Sequence, residues 1–284
     1  MKSVLLVSLL SACSGSSTQL FRANDLSTAI QPPSMNDQST APDLADSVVK
    51  LSGPIVELEL LIATLAAHPD DTPAQLIAAS CIPDASVYAE YADGTKSSVV
   101  TSGGDCNFVL PVKRNTTLHL VAGHNDAVCP LTYDASALVT GTSDLTVPYA
   151  SALAQNASAA VAGIAGALAV PVTDVLAEGS CVVLVDDGST SLAPTLVAST
   201  LSVSGSGAAQ LFAMTNAQTE PPTFEPMNAS PLGIYGIVIP GSTTEVTTTV
   251  QATGSITPAM HTYTPATCAL RPGLATLVTL SPTN

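Results

Sequence analysis

Residues 86–123, SVYAEYADGTKSSVVTSGGDCNFVLPVKRNTTLHLVAG, decide the fold class of this chain. Side chains alternate between two faces from Val87 to Tyr91, which is the period-2 pattern of a half-buried strand. Asp93-Gly94 supplies a turn, because glycine accepts the positive φ that tight hairpins require. Three further strands are predicted at 97–101, 108–112 and 117–121. The segment therefore indicates β-structure built from short strands and tight turns.

This stretch resembles the carboxypeptidase regulatory-like domain, a transthyretin-like β-sandwich. The family pattern joins an alternating strand, a T-x-x-x-G-x-F turn and strand, a Val-Pro step and a second alternating strand. The matching residues are Thr101, Gly103 or Gly104, Phe108, Pro111 and Leu118 to Val121. Cys106 in the turn departs from the pattern. The resemblance implies a carbohydrate-binding-like fold, and a fold alone does not establish sugar binding.

A looser copy of the pattern follows in the C-terminal half, where Tyr235 takes the place of Phe108 and Pro240 that of Pro111. Strands are predicted within 170–188, 208–216, 233–241, 243–252 and 268–282. The chain is therefore predicted to be all-β, with two tandem transthyretin-like or immunoglobulin-like sandwiches at 46–150 and 171–284. The alternative is a single larger sandwich or barrel.

Residues 151–170, SALAQNASAAVAGIAGALAV, link the two predicted sandwiches. Alanine favours helix, whereas Gly163 and Gly166 weaken it. The segment is predicted to be either a buried linker helix or the first strand of the second sandwich. Its small side chains give little transfer energy into a bilayer, which argues against a membrane span.

The first residues carry an export pattern. Lys2 precedes an uncharged, mostly apolar run that ends at residue 12, shorter than the ~20 residues of a membrane span and typical of a secretory signal peptide. Leu10-Ser11-Ala12-Cys13 resembles the bacterial lipobox. The resemblance implies a signal peptide at 1–12, a lipid on Cys13, and a bacterial cell-envelope lipoprotein held by that lipid. Ser14 after the cysteine implies outer-membrane sorting, facing the periplasm or the cell surface. The alternative is an ordinary signal peptide with an incidental cysteine.

Residues 13–45 are rich in Ser, Thr, Asn, Gln and Pro and lack any persistent apolar period. Such a segment cannot bury enough apolar surface to offset its ordering entropy. It is predicted to be a disordered tether between the lipid anchor and the folded part.

The chain is strongly acidic, with 7 basic and 22 acidic residues and a formal net charge of −15. That charge repels phosphate backbones and anionic headgroups, which excludes nucleic acid as a partner class and assigns membrane attachment to the lipid.

Five cysteines follow Cys13, and none of them forms a C-x-x-C pair. An exported chain meets an oxidising compartment, so disulfides are predicted in place of a structural zinc site. Cys181 and Cys268 would bracket the C-terminal domain. In the first domain, two of Cys81, Cys106 and Cys129 could pair. The odd count leaves a free thiol or an inter-domain bond.

Residues 66–72, AAHPDDT, resemble the opening motif of the GlcNAc-PI de-N-acetylase family of zinc deacetylases. The resemblance implies that His68 and Asp71 bind metal and that Asp70 is a general base. Thr72 stands where the family has glutamate, and the following sequence lacks βαβ alternation. The favoured interpretation is a turn in which Asp71 or Thr72 caps a short helix that begins at Pro73. No metal and no cofactor are therefore predicted.

These patterns together predict a non-enzymatic, surface-anchored lipoprotein that serves as a structural or interaction module, with an envelope protein or a glycan as partner. The alternative is a carbohydrate- or peptide-binding lipoprotein. Aromatic residues make up only 4% of the chain and tryptophan is absent, which argues against strong glycan binding. Zinc-dependent deacetylation stands third.

Overall fold

The computed structural model describes residues 47–68, 70–123, 131–153, 159–188, 195–205, 208–217, 219, 221–256 and 259–283. The predicted signal peptide, Cys13, the predicted tether, His124 and Cys129 lie outside these residues. Strands account for 49% of the structure and helices for 16%, so the predicted all-β class is confirmed.

The described residues of the N-terminal half form nine strands and two helices. In chain order they are β1 (Val48–Glu57), α1 (Leu58–Ala67), α2 (Pro73–Ala79), β2 (Ser86–Tyr91), β3 (Val100–Thr101), β4 (Asn107–Lys113), β5 (Thr117–Gly123), β6 (Leu131–Asp134), β7 (Leu138–Val139), β8 (Leu145–Thr146) and β9 (Ala150–Ala152).

The residues described in the C-terminal half form two helices and ten strands. They are α3 (Ala159–Leu168), α4 (Val172–Glu178), β10 (Ser180–Val185), β11 (Ser199–Ser204), β12 (Gln210–Asn216), β13 (Thr223–Glu225), β14 (Ala229–Ser230), β15 (Ile234–Val238), β16 (Val246–Ile256), β17 (Ala259–Thr262), β18 (Ala266–Leu270) and β19 (Leu274–Leu280).

A ten-stranded sheet runs through both halves in the order β13-β12-β15-β10-β19-β6-β5-β2-β3, with β7 paired to β5. The halves meet where β19 pairs in parallel with β6, from Leu274 opposite Leu131 to Leu277 opposite Asp134. β19 also pairs in parallel with β10 on its other side. We call the β6–β19 pairing the seam, because it joins the cores centred on the two predicted sandwiches through one continuous sheet.

Two smaller sheets complete the sandwiches on opposite faces of the large sheet. Over the N-terminal half, β4, β1, β8 and β9 enclose a core that includes Leu51, Phe108 and Leu118. Over the C-terminal half, β14, β11, β16, β17 and β18 enclose a core around Tyr235 and Leu201. The alternation of side chains along each strand supplies both faces with apolar residues.

The four helices cover the remaining face of the C-terminal half. Leu61 of α1 and Ile164 of α3 belong to the same buried cluster as Leu184 of β10 and Leu277 of β19. Helix α1 comes early in the sequence, yet it packs against β10 and β19, which come much later in the sequence. Glycine at Gly236 of β15 is required here, because a Cβ at that position would collide with the side chain of Ile164.

Within the described residues, no single helix has the length and hydropathy of a membrane span, and α3 and α4 reach both only as a pair bent by 105°.

Some predicted strands differ from the structure. Of residues 97–101, only Val100–Thr101 form a strand, which pairs with β2. Residues 172–178 form helix α4 instead of a strand, because Pro171 at its N-cap begins a turn that buries Val175 beneath the sheet. The strand begins after Gly179, whose φ of 83° ends the helix. The segment 151–170 contains α3, which agrees with the predicted linker helix, while the end of β9 at its start pairs with β1 of the N-terminal half and is not a strand of the second sandwich.

The turn interpretation of residues 66–72 agrees with the structure. Helix α1 ends at Ala67, and Thr72 is the N-cap of α2 with Pro73 as its first residue. The Thr72 hydroxyl accepts from the Gln75 N–H at 3.4 Å, and Gln75 Oε1 accepts from the Thr72 N–H at 2.9 Å. This reciprocal capping box satisfies two N–H groups at the start of α2.

Candidate functional site

The residues of the deacetylase-like motif lie at the surface. His68 and Asp70 are exposed and Asp71 is half-buried, and the Asp71 N–H donates to the His68 carbonyl at 3.1 Å. His119 and His261 lie in different sheets, on β5 and β17. Among the described residues, no group of three His, Cys, Asp or Glu side chains is arranged to hold a metal ion.

Two disulfides cross-link the described residues, one in each half: the first ties two segments that both lie beside β1, and the second joins the two layers of the C-terminal sandwich. Cys81, just before β2, bonds to Cys106, just before β4, with Cα atoms 5.7 Å apart. Cys181 on β10 bonds to Cys268 on β18 across the C-terminal core, with Cα atoms 6.3 Å apart. The second bond is the pair expected to bracket the C-terminal domain, and the first is one of the pairings that the sequence left open.

A cavity of about 280 Å³ lies on the helix-covered face beside the seam. It is open to solvent and takes side chains from both halves of the chain. Its lining residues are Leu58, Leu120, Asp134, Ser136, Leu138, Val147, Pro148, Tyr149, Ser151, Asp186 and Thr279. We call it the seam cavity. Its walls are aliphatic and its polar groups are hydroxyls and two carboxylates.

Local turns fix the two carboxylates of the seam cavity. Asp134, at the end of β6, accepts from the Ser136 N–H at 2.9 Å. Asp186, immediately after β10, accepts from the Gly188 N–H at 2.8 Å. Asp186 is 8% exposed and Asp134 is half-buried. Both carboxylates line the cavity, and a carboxylate oxygen can accept more than one hydrogen bond, so each can also accept from a ligand.

The electrostatic character of the seam cavity is negative. Burial raises the pKa of the Asp134 carboxyl, which shows that its charged form is poorly solvated. Burial first, and then the charges of Asp134 and Asp186, raise the pKa of the Tyr149 phenol to about 12. The Tyr149 phenol therefore stays neutral at physiological pH, and the charges of both carboxylates act on it. A cation placed in this cavity would be stabilised by the same field.

A second polar cluster lies on the opposite face of the same sheet. Arg271, in the turn between β18 and β19, places Nη1 2.5 Å from Glu90 Oε1 and Nε 3.2 Å from Glu245 Oε2. Its guanidinium carbon lies 4.3 Å above the Tyr133 ring, which in turn lies 5.1 Å from the His119 ring. Burial lowers the pKa of Arg271, but the hydrogen bond and charge of Glu90, followed by Glu245, outweigh it and raise the pKa.

This ion pair links residues 181 positions apart in sequence, one from each half. Arg271 and Glu90 are both largely buried, and the aromatic ring beneath the guanidinium adds a cation–π contact. The cluster therefore fixes the two halves relative to each other on the face of β2 and β5 that none of the described strands covers.

Sequence reasoning missed both polar groups at the seam. Asp186 lies within a segment for which only a strand is predicted, and Asp134 and Tyr149 lie in segments without any motif. The one available signal was the rarity of basic residues: an arginine within CALRPG, between predicted strands, stands out in a chain with so few cations.

Comparisons with known proteins match this chain to solved structures. Comparison with protein-family models gives no match, and comparison with curated proteins also gives none. Among solved structures, the Bacillus anthracis TIE protein is similar with a TM-score of 0.26 and 8% identity, over 84% of this chain and 35% of that chain. The chain therefore spans about a third of that protein's length.

Two pilins are also similar. The shaft pilin SpaA from Lactobacillus rhamnosus GG (E269A mutant) gives a TM-score of 0.23 at 9% identity, covering 84% of this chain and 98% of that chain. A streptococcal ancillary pilin gives a TM-score of 0.23 at 9% identity, covering 88% of this chain and 68% of that chain. The β-sandwich architecture described above rests on the strand pairing of this chain itself.

Proposed function

We propose that this chain is a structural module of the bacterial cell envelope, anchored by a lipid on Cys13 and held away from the membrane by residues 13–45. The observation that carries the proposal is the way the folded part is cross-linked. One disulfide joins the two layers of the C-terminal sandwich, a second ties two segments beside β1 in the N-terminal sandwich, and one continuous sheet joins the sandwiches. Such a body keeps its shape outside the cytoplasm, where disulfides persist.

Three connections hold the halves together, and each is of a different kind. The parallel β6–β19 ladder supplies backbone hydrogen bonds, and α1 buries Leu61 against the C-terminal strands. The Arg271–Glu90 ion pair closes the opposite face. A binding module on a flexible hinge would not need all three, so these contacts favour a rigid spacer or scaffold.

Mass spectrometry of the mature N-terminus tests the anchor. The expected result is a lipid-modified Cys13 at the first position, with the wild-type chain in the outer-membrane fraction and a Cys13→Ser variant released from it. An unmodified residue 13, or a wild-type chain recovered from the cytoplasm, would contradict the proposal.

Single-molecule stretching between the two ends of the folded part tests the structural role. With disulfides formed, the residues enclosed by Cys181–Cys268 and Cys81–Cys106 cannot extend. Separations of 87 and 25 residues correspond to roughly 300 and 90 Å of withheld length. Reduction is expected to release both lengths. A chain that extends fully before reduction would contradict the proposal that these disulfides resist stretching.

A further inference from the structure

The geometry points to the seam cavity as a binding site for a primary alkylammonium group. We propose that the ammonium lies beside the carboxylates of Asp134 and Asp186 while its aliphatic stem lies along the leucine and valine side chains of the wall. This inference is independent of the structural role proposed above, because it concerns what the cavity holds and not what the sheet supports.

The shape of the seam cavity suits a short chain better than a sugar. A volume of about 280 Å³ leaves room for a stem of about four carbons and several waters. Leu120, Leu138 and Val147 form aliphatic wall, and the cavity has one aromatic residue, Tyr149. A sugar ring would need flat aromatic faces and many polar partners, whereas a methylene stem needs only apolar contact.

The polar groups of the seam cavity suit a cation with several donors. An ammonium group has three N–H donors and no acceptor. The carboxylates of Asp134 and Asp186 and the hydroxyls of Ser136, Ser151 and Thr279 are all able to accept hydrogen bonds. A metal ion fits less well, because it requires several oxygen ligands converging on one point.

The same chemistry has two sources, a free alkylamine and the lysine side chain of a peptide. n-Butylammonium represents the first, and Nα-acetyl-lysine methylamide represents the second. Binding of n-butylammonium alone assigns the site to free amines, because a peptide backbone then fails to fit at the mouth of the cavity. Binding of both assigns it to lysine side chains as well.

Ligand-detected NMR and calorimetry on the folded chain test the proposal. n-Butylammonium is expected to bind with a dissociation constant of about 1 mM, since so few atoms limit the affinity. 1-Butanol, a neutral molecule of similar shape, is expected to bind at least about tenfold more weakly, because a hydrogen bond to a charged group is worth more than a neutral one. Equal binding of the alcohol would overturn the proposal without any variant being made.

Three variants locate the site. Asp134→Asn and Asp186→Asn are expected to weaken n-butylammonium binding roughly 10- to 100-fold, because each removes a charged acceptor but keeps a turn-capping oxygen. Asp70→Asn removes the same charge at an exposed turn and is expected to change binding less than twofold. Thermal unfolding of each variant shows that it is folded. Unchanged binding in both cavity variants, or equal weakening in Asp70→Asn, would overturn the site.

Discussion

The two glycines of α3 give opposite predictions for the same substitution. Gly163 faces the sheet, and a Cβ there would lie 2.5 Å from the Pro222 carbonyl oxygen and 2.9 Å from Cε2 of Phe224. Gly166, on the same helix, is exposed and has nothing within 4 Å of such a Cβ. Alanine is the better helix former at both positions by about 0.5–1 kcal/mol. Only the surroundings of the new methyl group differ.

For Gly166→Ala, we expect the free energy of unfolding to rise by about 0.5–1 kcal/mol. For Gly163→Ala, the methyl group forces α3 away from β13 or moves Phe224, at a cost of about 1–3 kcal/mol for an overpacked site. After subtraction of the helix-propensity gain, the expected net loss is about 1 kcal/mol. The two variants should therefore differ by about 2 kcal/mol, or roughly 4–8 °C in Tm for a chain of this size.

Urea denaturation followed by far-ultraviolet circular dichroism measures both free energies, and calorimetry gives the Tm difference. A Phe224→Leu change combined with Gly163→Ala is expected to recover part of the loss, because the leucine side chain is shorter where the ring and the new methyl group meet. If Gly163→Ala stabilises the protein as much as Gly166→Ala does, then α3 does not approach β13 as closely as described, and the packing argument is wrong.

Three further predictions concern the seam, the disulfides and the buried phenol. Arg271→Met is expected to cost roughly 3 kcal/mol in urea unfolding because it leaves Glu90 buried without its cation. Lys113→Met, which removes an exposed ion pair, should change the free energy of unfolding by no more than about 1 kcal/mol. Equal losses in the Arg271 and Lys113 variants would contradict this prediction. Replacing both Cys181 and Cys268 by alanine should lower the free energy of unfolding by about 4.6 kcal/mol, because the disulfide spans 87 residues. A loss under about 1 kcal/mol would contradict this prediction. The pKa of Tyr149 is raised to about 12, so the stability that its neutral phenol contributes is complete below pH 10 and is lost as the pH rises towards 12. Tyr149→Phe should therefore remove the last step of an absorbance titration at 295 nm. A last step that is unchanged in the variant would contradict this assignment.

Local patterns predicted local structure well. The alternation from Val87 to Tyr91 is strand β2, and TLHLV lies within β5. The half-buried pattern predicted for β2 is wrong, because all six of its residues are buried. Thr72 and Pro73 begin α2 as the capping signals indicated. In each case a few neighbouring residues carry the information, because the side-chain period of a strand and the N–H groups of a helix end are properties of short segments.

The junction of the halves could not be predicted in the same way. β6 and β19 pair although Leu131 and Leu274 are far apart in sequence, and a parallel pairing leaves no turn residues as a signal. Helix α4 was missed because Val172 and Val175 also suit a strand, and burial under the sheet decided between the two. The seam cavity joins Asp134, Asp186 and other residues from separate segments, so it exists only once the sheet has formed.

The position of β19 also has a consequence for biogenesis. It is the last of the described strands to be synthesised, yet it lies inside the large sheet between β10 and β6. Until it leaves the ribosome, both of its neighbours, β10 and β6, present unpaired edges that invite aggregation. A product truncated before Leu274 would keep both disulfide pairs and still have two open edges. The large sheet is therefore completed only after Leu274–Leu280 have been synthesised.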